Sequence, residues 1–103
     1  MKKDFDKAIE LYEKCIELDN FHLIPRSNKA TCLIEKKEYE KALEILDEAE
    51  KVYQETEIEK RSFENYAKIL EKKGRIYSLL KNFDEAIKFY EKSLLENNVG
   101  KVS

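Results

Sequence analysis

Residues 65–94 read NYAKILEKKGRIYSLLKNFDEAIKFYEKSL and carry the clearest helical pattern of the sequence. Its first half places Leu70, Gly74 and Tyr77 at positions i, i+4 and i+7, which share one face of an α-helix. Its second half places five apolar residues on one face of another helix: Phe83, Ala86, Ile87, Tyr90 and Leu94. Between the halves, Asp84 is expected to cap the second helix by accepting backbone N–H groups. The stretch therefore predicts a helix–turn–helix unit in which small residues let two helices approach closely.

The same unit recurs, in part, towards the N-terminus. Residues 4–18 (DFDKAIELYEKCIEL) closely match residues 82–96 (NFDEAIKFYEKSLLE), so the chain begins on the second helix of a repeat. The interval from Ala8 to Ala42 is 42 − 8 = 34 residues, and the interval from Ala42 to Ala86 is 86 − 42 = 44. We place the ten added residues in two lengthened helices that meet near residues 54–57, because no Gly or Pro interrupts this region.

A 34-residue period with this order of large, small and aromatic residues is typical of the tetratricopeptide repeat (TPR). We therefore predict an all-α TPR solenoid of about five antiparallel helices in a right-handed superhelix. The predicted divisions of the single partial domain are 1–19 (second helix of repeat one), 22–56 (repeat two, with a lengthened second helix), 57–96 (repeat three, with a lengthened first helix) and 97–103 (frayed tail). Asn97, Asn98 and Gly100 are expected to end the last helix after Leu94.

Terminal repeats of a solenoid normally need a polar covering helix, and we expect none before Met1 or after Ser103. The end helices would then expose apolar residues, which are Phe5, Ile9, Tyr12 and Ile16 at one end and Phe89 and Leu94 at the other. Exposed patches of this kind favour association, so the sequence predicts that the chain self-associates.

Composition excludes several functional classes. The 103 residues are 42% apolar and 41% charged, and 20 basic against 22 acidic side chains give a net charge of −2. This balance predicts neither a nucleic-acid partner nor a membrane partner, and no apolar run approaches the roughly 18 residues of a membrane span. Cys15 and Cys32 show no C-x-x-C spacing and are read as free, packed thiols in a reducing compartment, which predicts a cytoplasmic protein.

No arrangement of residues predicts catalysis, a metal site or a cofactor. His22 has no Cys or carboxylate at ligand spacing and is expected in a loop. There is no glycine-rich phosphate loop and no Ser/His/Asp set, so we expect a protein that is not an enzyme. A basic segment between Lys60 and Arg75 is interrupted by Glu64 and Glu71 and does not form the continuous stripe of a nucleic-acid interface.

One candidate site does emerge from the repeat register. The first helices of TPR repeats line a concave groove, and counting back from Ala42 and Ala86 places Asn28 and Lys72 at matching positions in it. Lys68 lies one turn before Lys72. An amide facing two ammonium groups suits a carboxylate, although a solvated lysine-rich helix would show the same spacing.

Beyond the generic repeat, nearly the whole chain resembles the middle, chaperone-binding TPR domain of the heat-shock organising co-chaperones, without its first helix. The resemblance is carried by five segments: residues 2–19, SNKA at 27–30, EKKEYEKAL at 35–43, NYAKI at 65–69 and FDEAIKFYEKSL at 83–94, together with the ten-residue lengthening. It implies a dicarboxylate clamp for the acidic C-terminal peptide, of the Met-Glu-Glu-Val-Asp type, of the ninety-kilodalton heat-shock protein. It also implies contact with the seventy-kilodalton chaperone through other domains of the full protein.

The resemblance implies a role for each of six residues. Asn28 and Lys68 would hold the terminal carboxylates, and Lys72, where the family commonly has Arg, would meet an upstream acidic group. Thr31, Ile34 and Glu35 would line the path of the upstream residues.

The family draws one Lys and one Asn of the clamp from an opening helix that this chain does not contain. Losing two charge-assisted hydrogen bonds would weaken binding by about 3–6 kcal/mol, or about a hundred- to ten-thousand-fold. Two alternatives to the clamp remain open: a structural TPR scaffold without a peptide pocket, and a regulatory TPR domain that binds a small peptide signal.

Overall fold

Five α-helices follow one another along the chain. The computed structural model describes the backbone of residues 4–102 and the side chains of residues 4–96. The helices are α1 (Phe5–Leu18), α2 (Leu23–Glu35), α3 (Tyr39–Glu55), α4 (Phe63–Leu79) and α5 (Phe83–Val102), with a 3₁₀ turn at Ile58–Lys60. No strand occurs in the backbone from residue 4 to residue 102. The predicted all-α fold of five helices is confirmed.

The core lies where α2, α3 and α4 meet. α1 packs on α2, α2 on α3, and α4 on α5, while α4 also contacts both α2 and α3. The core residues with no exposed surface are Ala30, Ala42, Leu46, Ala49, Ile69, Leu70 and Ile76. Because α3 packs against one side of α2 and α4, these two helices stand next to each other and share the face that carries the candidate site.

The α2–α3 and α4–α5 turns have the same backbone conformation. Each contains one lysine in the left-handed region, with φ of 65° at Lys37 and 63° at Lys81. In both turns the N–H of the next residue donates to the carbonyl oxygen five residues earlier, at 2.9 and 2.8 Å. This pattern closes a helix C-terminus by satisfying its last carbonyl groups. The two hairpins therefore share one turn geometry.

The connection between α3 and α4 differs from the prediction of two helices that meet near residues 54–57. α3 does end at Glu55, but α4 begins only at Phe63. The Ser62 hydroxyl accepts from the backbone N–H of Asn65 at 3.2 Å and so fixes the start of α4. Arg61 donates to two carbonyl oxygens at the end of α3, at 2.7 and 2.9 Å. Residues 56–62 are thus an ordered connection stabilised by side-chain hydrogen bonds.

Both ends of α5 differ from the prediction. Asp84 is not the N-cap of α5, because the helix begins at Phe83 and Asp84 lies in its first turn. A carboxylate there still stabilises the helix N-terminus through the helix dipole. The prediction that the last helix ends after Leu94 is wrong, since α5 continues to Val102. Asn and Gly only weaken a helix and, unlike Pro, do not block its hydrogen bonds. Ser103 lies outside the described residues.

The apolar faces of the end helices are exposed only in part. Ile9 and Phe89 pack against the core, which corrects their assignment to exposed patches. On α5 the exposed apolar residues recur at helical spacing, with exposed fractions between 37% and 64%; we call Phe83, Ile87, Tyr90 and Leu94 the α5 stripe. Self-association through such a surface stays a prediction.

The two cysteines lie in different environments. Cys15 is exposed on α1, so its predicted packing role is wrong. Cys32 is half-buried on α2, as predicted, and burial, assisted by the negative charge of Glu35, raises the pKa of its thiol. A raised pKa keeps this thiol protonated and poorly reactive.

Gly74 is required where α4 crosses α5. A Cβ atom placed on Gly74 would lie 3.0 Å from a ring carbon of Tyr90. We expect Gly74→Leu to lower the free energy of unfolding by about 1–3 kcal/mol, because the larger side chain must push the two helices apart. Urea unfolding followed by circular dichroism measures this loss.

Glu71→Leu is the matched control for Gly74→Leu, because Glu71 lies on α4 and is exposed. It should change the free energy of unfolding by no more than about 0.5 kcal/mol. Equal stability of the two leucine variants would contradict the close approach of α4 and α5 at Gly74.

Candidate functional site

The open faces of α2 and α4 form one surface. On α2 three residues that are not buried recur at i, i+3 and i+7, and on α4 three cationic residues recur at i, i+4 and i+7. We call this surface the α2–α4 face; it consists of Asn28, Thr31, Glu35, Lys68, Lys72 and Arg75. Both helices run from N-terminus to C-terminus along it, since each is the first helix of its hairpin. An elongated ligand could therefore contact both helices along their length.

Lys72 joins the two helices. Its ammonium group donates to the Ser27 hydroxyl of α2, next to Asn28 in the chain. Burial lowers the pKa of Lys72, and the positive charges of Lys68 and Arg75 lower it further, although Glu71 raises it. No carboxylate of the described residues lies within 4.0 Å of this ammonium. The Lys72 charge is thus held in place without being neutralised.

Lys68 lies one turn before Lys72 on α4, and Asn28 follows Ser27 on α2. The Lys68 side chain is 58% exposed, and its nearest carboxylate, on Glu64, lies 4.0 Å away and is itself exposed. An exposed pair at this distance contributes almost no stability, so Lys68 can change partners readily. Asn28 is half-buried, and its side-chain amide makes no hydrogen bond to other residues between 4 and 96.

The three residues predicted to line the peptide path occupy three different environments. Thr31 lies on the α2–α4 face, where its hydroxyl donates to the Ser27 carbonyl oxygen at 3.2 Å. Glu35 is exposed on the same face. Ile34 is only 3% exposed and belongs to the core. We therefore remove Ile34 from the path, because a contacting ligand could reach almost none of its surface.

Arg75 was not predicted as a site residue. Its guanidinium reaches from α4 to Glu35 on α2, with 3.3 Å between Nη2 and Oε1. The two side chains are 49% and 44% exposed, so this ion pair lies on the surface of the α2–α4 face. The sequence shows that Arg75 shares a helix face with Lys68 and Lys72, but it does not show that Glu35 on α2 is the partner of Arg75.

Below this face, a charge cluster centred on the buried Lys73 fixes the position of α4. Lys73 is 5% exposed, and its ammonium contacts Asp47 at 2.5 Å and also Glu50 on α3. Burial lowers the pKa of Lys73, but the hydrogen bonds to Asp47 and Glu50 and their charges outweigh it, so the net shift is upward. Glu50 also accepts from the Tyr66 hydroxyl at 2.9 Å. The Lys73 cluster, comprising Lys73, Asp47, Glu50 and Tyr66, therefore anchors the helix that carries Lys68 and Lys72.

Aromatic stacking extends this anchor towards the α3–α4 connection. The rings of Tyr53 and Tyr66 stack with centroids 4.0 Å apart and an interplanar angle of 11°. The Arg61 guanidinium lies over Tyr53, 5.0 Å from the ring centroid. Burial and the hydrogen bond to Glu50 raise the pKa of Tyr66, which keeps its hydroxyl a donor. The start of α4 is thereby fixed relative to α3.

The described residues provide neither a metal site nor a membrane span. No group of three or more His, Cys, Asp or Glu side chains there could hold a metal ion. His22 lies exposed just before α2, as predicted for a loop residue, and its side chain does not cap the helix. Within that part of the chain, no helix combines the length and the apolar character that a membrane span requires.

The sequence of the chain is similar to those of chaperone-organising proteins. The chain is 33% identical over 96 residues to the "Protein STIP1 homolog" of Dictyostelium discoideum, covering 93% of the chain and 16% of that protein. It is 36% identical over 98 residues to the "Hsp70-Hsp90 organising protein" of Plasmodium falciparum, covering 94% of the chain and 17% of that protein. The chain thus spans only about a sixth of these relatives, and its resemblance to them is confirmed.

A solved structure and the family models agree with this result. The N-terminal domain of stress-induced protein-1 (STI-1) from C. elegans matches with a TM-score of 0.77 at 27% identity, covering 90% of this chain and 71% of that one. Models of the tetratricopeptide repeat match residues 22–94 and residues 2–22. With five helices paired as the repeat period predicts, the chain belongs to the tetratricopeptide repeat family.

Proposed function

We propose that the chain is a protein-interaction module of a co-chaperone, acting in the cytoplasm, that binds the acidic C-terminal peptide of the ninety-kilodalton heat-shock protein. Asn28 and Lys68 hold the carboxylates of the terminal residue, and Lys72 holds an upstream acidic group or peptide oxygen. Other domains of the full protein contact the seventy-kilodalton chaperone. The relatives named as organising proteins support this role.

The observation that carries the proposal is the unneutralised charge of Lys72. It is held against Ser27 with no carboxylate partner among the described residues, and Asn28, on the same face, makes no side-chain hydrogen bond to them. Charge-assisted hydrogen bonds to a ligand carboxylate would satisfy both groups. Lys72 meets a carboxylate as a point charge, whereas an arginine would offer a planar pair of donors, so this clamp tolerates more ligand geometries.

The binding test compares a pentapeptide that has a free C-terminus with the same peptide amidated. Free Met-Glu-Glu-Val-Asp is expected to shift amide resonances of α2 and α4 in NMR titrations, with a weak affinity near the millimolar range. Lys68→Ala should weaken this binding about tenfold to a hundredfold, because one charge-assisted hydrogen bond is lost. Amidation should weaken it to a similar extent.

Lys88→Ala is the matched control for Lys68→Ala. Lys88 is 72% exposed on α5 and pairs with a carboxylate three residues away, so its loss removes the same charge far from the α2–α4 face. It should leave peptide affinity unchanged. Equal affinity for the free and amidated peptides, or no resonance shift at about 5 mM free peptide, would contradict the proposal.

A second function, a structural TPR scaffold, is favoured by one observation. The α5 stripe exposes Phe83, Ile87, Tyr90 and Leu94 along about three helical turns. A scaffold using this surface would be insensitive to Lys68→Ala and sensitive to Ile87→Glu in assembly measurements. The peptide module shows the opposite sensitivity.

A further inference from the structure

Arg75 and Glu35 form an ion pair across the α2–α4 face that costs little to open. Both side chains are about half exposed, and the 3.3 Å contact is a single one between Nη2 and Oε1. Surface ion pairs of this kind contribute little to stability because water solvates both partners. The Arg75 guanidinium can therefore exchange Glu35 for another carboxylate at small cost.

The position of this pair along the helices suggests which residue of a bound peptide would reach it. Arg75 follows Lys68 by seven residues, which is about 10.5 Å along a helix. Glu35 follows Asn28 by the same seven residues on α2. An extended peptide advances about 3.3 Å per residue, so a distance of 10.5 Å corresponds to about three residues. Arg75 and Glu35 therefore lie equally far along their helices from Lys68 and Asn28, the residues proposed to hold the terminal carboxylate.

The charges around the pair decide which ligand it prefers. Lys72 lies between Lys68 and Arg75 and lacks a carboxylate partner within 4.0 Å among the described residues. The carboxylates nearest to the three cations, on Glu35, Glu64 and Glu71, are all exposed, so water screens them. The cations at Lys72 and Arg75 therefore favour an acidic ligand side chain over a basic one. The guanidinium can hold a carboxylate with two parallel hydrogen bonds, which gives selectivity as well as attraction.

We propose that the Arg75–Glu35 pair is an exchangeable selectivity element that admits a peptide with a carboxylate side chain three positions before its C-terminal residue. The incoming carboxylate replaces Glu35 as the partner of Arg75, and Glu35 turns out to solvent. Glu35 is then an internal competitor, which an acidic peptide side chain displaces and a neutral side chain leaves in place. This inference rests on the proposed function of the same face.

The test uses NMR titration to measure the affinity of each of three peptides for each of four proteins. Three peptides with free C-termini differ only in having Glu, Gln or Lys three positions before the last residue. The proteins are the unmodified chain, Arg75→Gln, Glu35→Gln and the control Lys88→Gln, which opens a similar exposed pair on α5. We expect the unmodified chain to prefer the Glu peptide over the Gln peptide about three- to tenfold.

Each variant has a distinct expected result. Arg75→Gln should abolish the preference for Glu over Gln while preserving the loss of affinity caused by C-terminal amidation. Glu35→Gln should bind the Glu peptide more tightly by about two- to fivefold, since the internal competitor is gone. Lys88→Gln should reproduce the unmodified chain.

Two results would overturn the inference. A preference for Glu that survives Arg75→Gln, or a preference for the Lys peptide, refutes the selectivity element while the amidation measurement still supports the clamp. If no peptide with a free C-terminus binds at all, the inference and the proposed function fail together. The amidation measurement thus distinguishes failure of the inference from failure of the clamp.

Discussion

Replacing Lys73 by alanine is expected to lower the free energy of unfolding by about 3–5 kcal/mol, because the change breaks a buried ion pair. The Lys73 side chain is 6% exposed and its partner Glu50 is 17% exposed, so the carboxylate would stay buried without its cation. The lost contact between Lys73 and Phe89, 5.4 Å from ammonium to ring centroid, adds to the cost. Urea unfolding followed by circular dichroism gives the change directly.

Two controls distinguish the effect of leaving Glu50 without its Lys73 partner from the effect of simply removing a positive charge. The double variant Lys73→Met/Glu50→Gln removes both charges, keeps most of the volume and leaves an amide oxygen to accept from Tyr66. It should recover stability to within about 1 kcal/mol of the unmodified chain. Lys88→Ala on the surface of α5 should change it by no more than about 0.5 kcal/mol. A double variant as unstable as Lys73→Ala would contradict a mechanism based on an unpaired carboxylate.

Leu46→Ala is expected to cost about 2–5 kcal/mol of unfolding free energy, because it opens a cavity at the centre of the core. Leu46 has no exposed surface, and α3, on which it lies, packs against both α2 and α4. The cavity therefore weakens the contacts that hold the two hairpins together. Urea unfolding and thermal unfolding should both show the loss.

Leu80→Ala makes the same chemical change at a position that is 49% exposed. It should cost less than about 1 kcal/mol, since little buried surface is lost. A similar cost at both positions would show that burial in the α2–α3–α4 core is not what makes Leu46 important.

The hairpins were predictable because their signals are local. Apolar residues at helical spacing, a small residue at each close approach and a repeat period are all present within a few turns of sequence. The start signals of the helices are local as well: the Asp4 carboxylate accepts from the backbone N–H of Lys7 at 3.1 Å and caps α1. Pro25 lies in the first turn of α2, where its missing N–H costs nothing.

The connection at residues 56–62 was missed because side-chain hydrogen bonds, and not Gly or Pro, end α3 there. The Thr56 hydroxyl donates to the Val52 carbonyl oxygen at 2.7 Å, and Arg61 binds the carbonyl groups that follow. Such bonds compete with helix continuation, yet the residues that form them are equally common within helices. The composition of the segment therefore predicted a helix where the structure has a connection.

Buried charges were missed for a different reason. Arg26 is 1% exposed and donates twice to Asn20, at 2.6 Å each, which ties the α1–α2 turn to α2. Lys73 depends on carboxylates more than 20 residues away in the sequence. Burial of a charge requires partners from other helices, and a helical pattern alone cannot reveal them. The same argument explains why Arg75, whose partner lies 40 residues away, was missed at the candidate site.

The matching turns at Lys37 and Lys81 make the chain modular. They are 81 − 37 = 44 residues apart, the same interval that separates Ala42 from Ala86. The extra ten residues of the longer interval are shared between α3, α4 and the connection that joins them, since α3 and α4 have 17 residues each, whereas α1 has 14 and α2 has 13. A longer or shorter connection at residues 56–62 would move one hairpin relative to the other. The spacing between α2 and α4 can therefore change in evolution while both turns keep their structure.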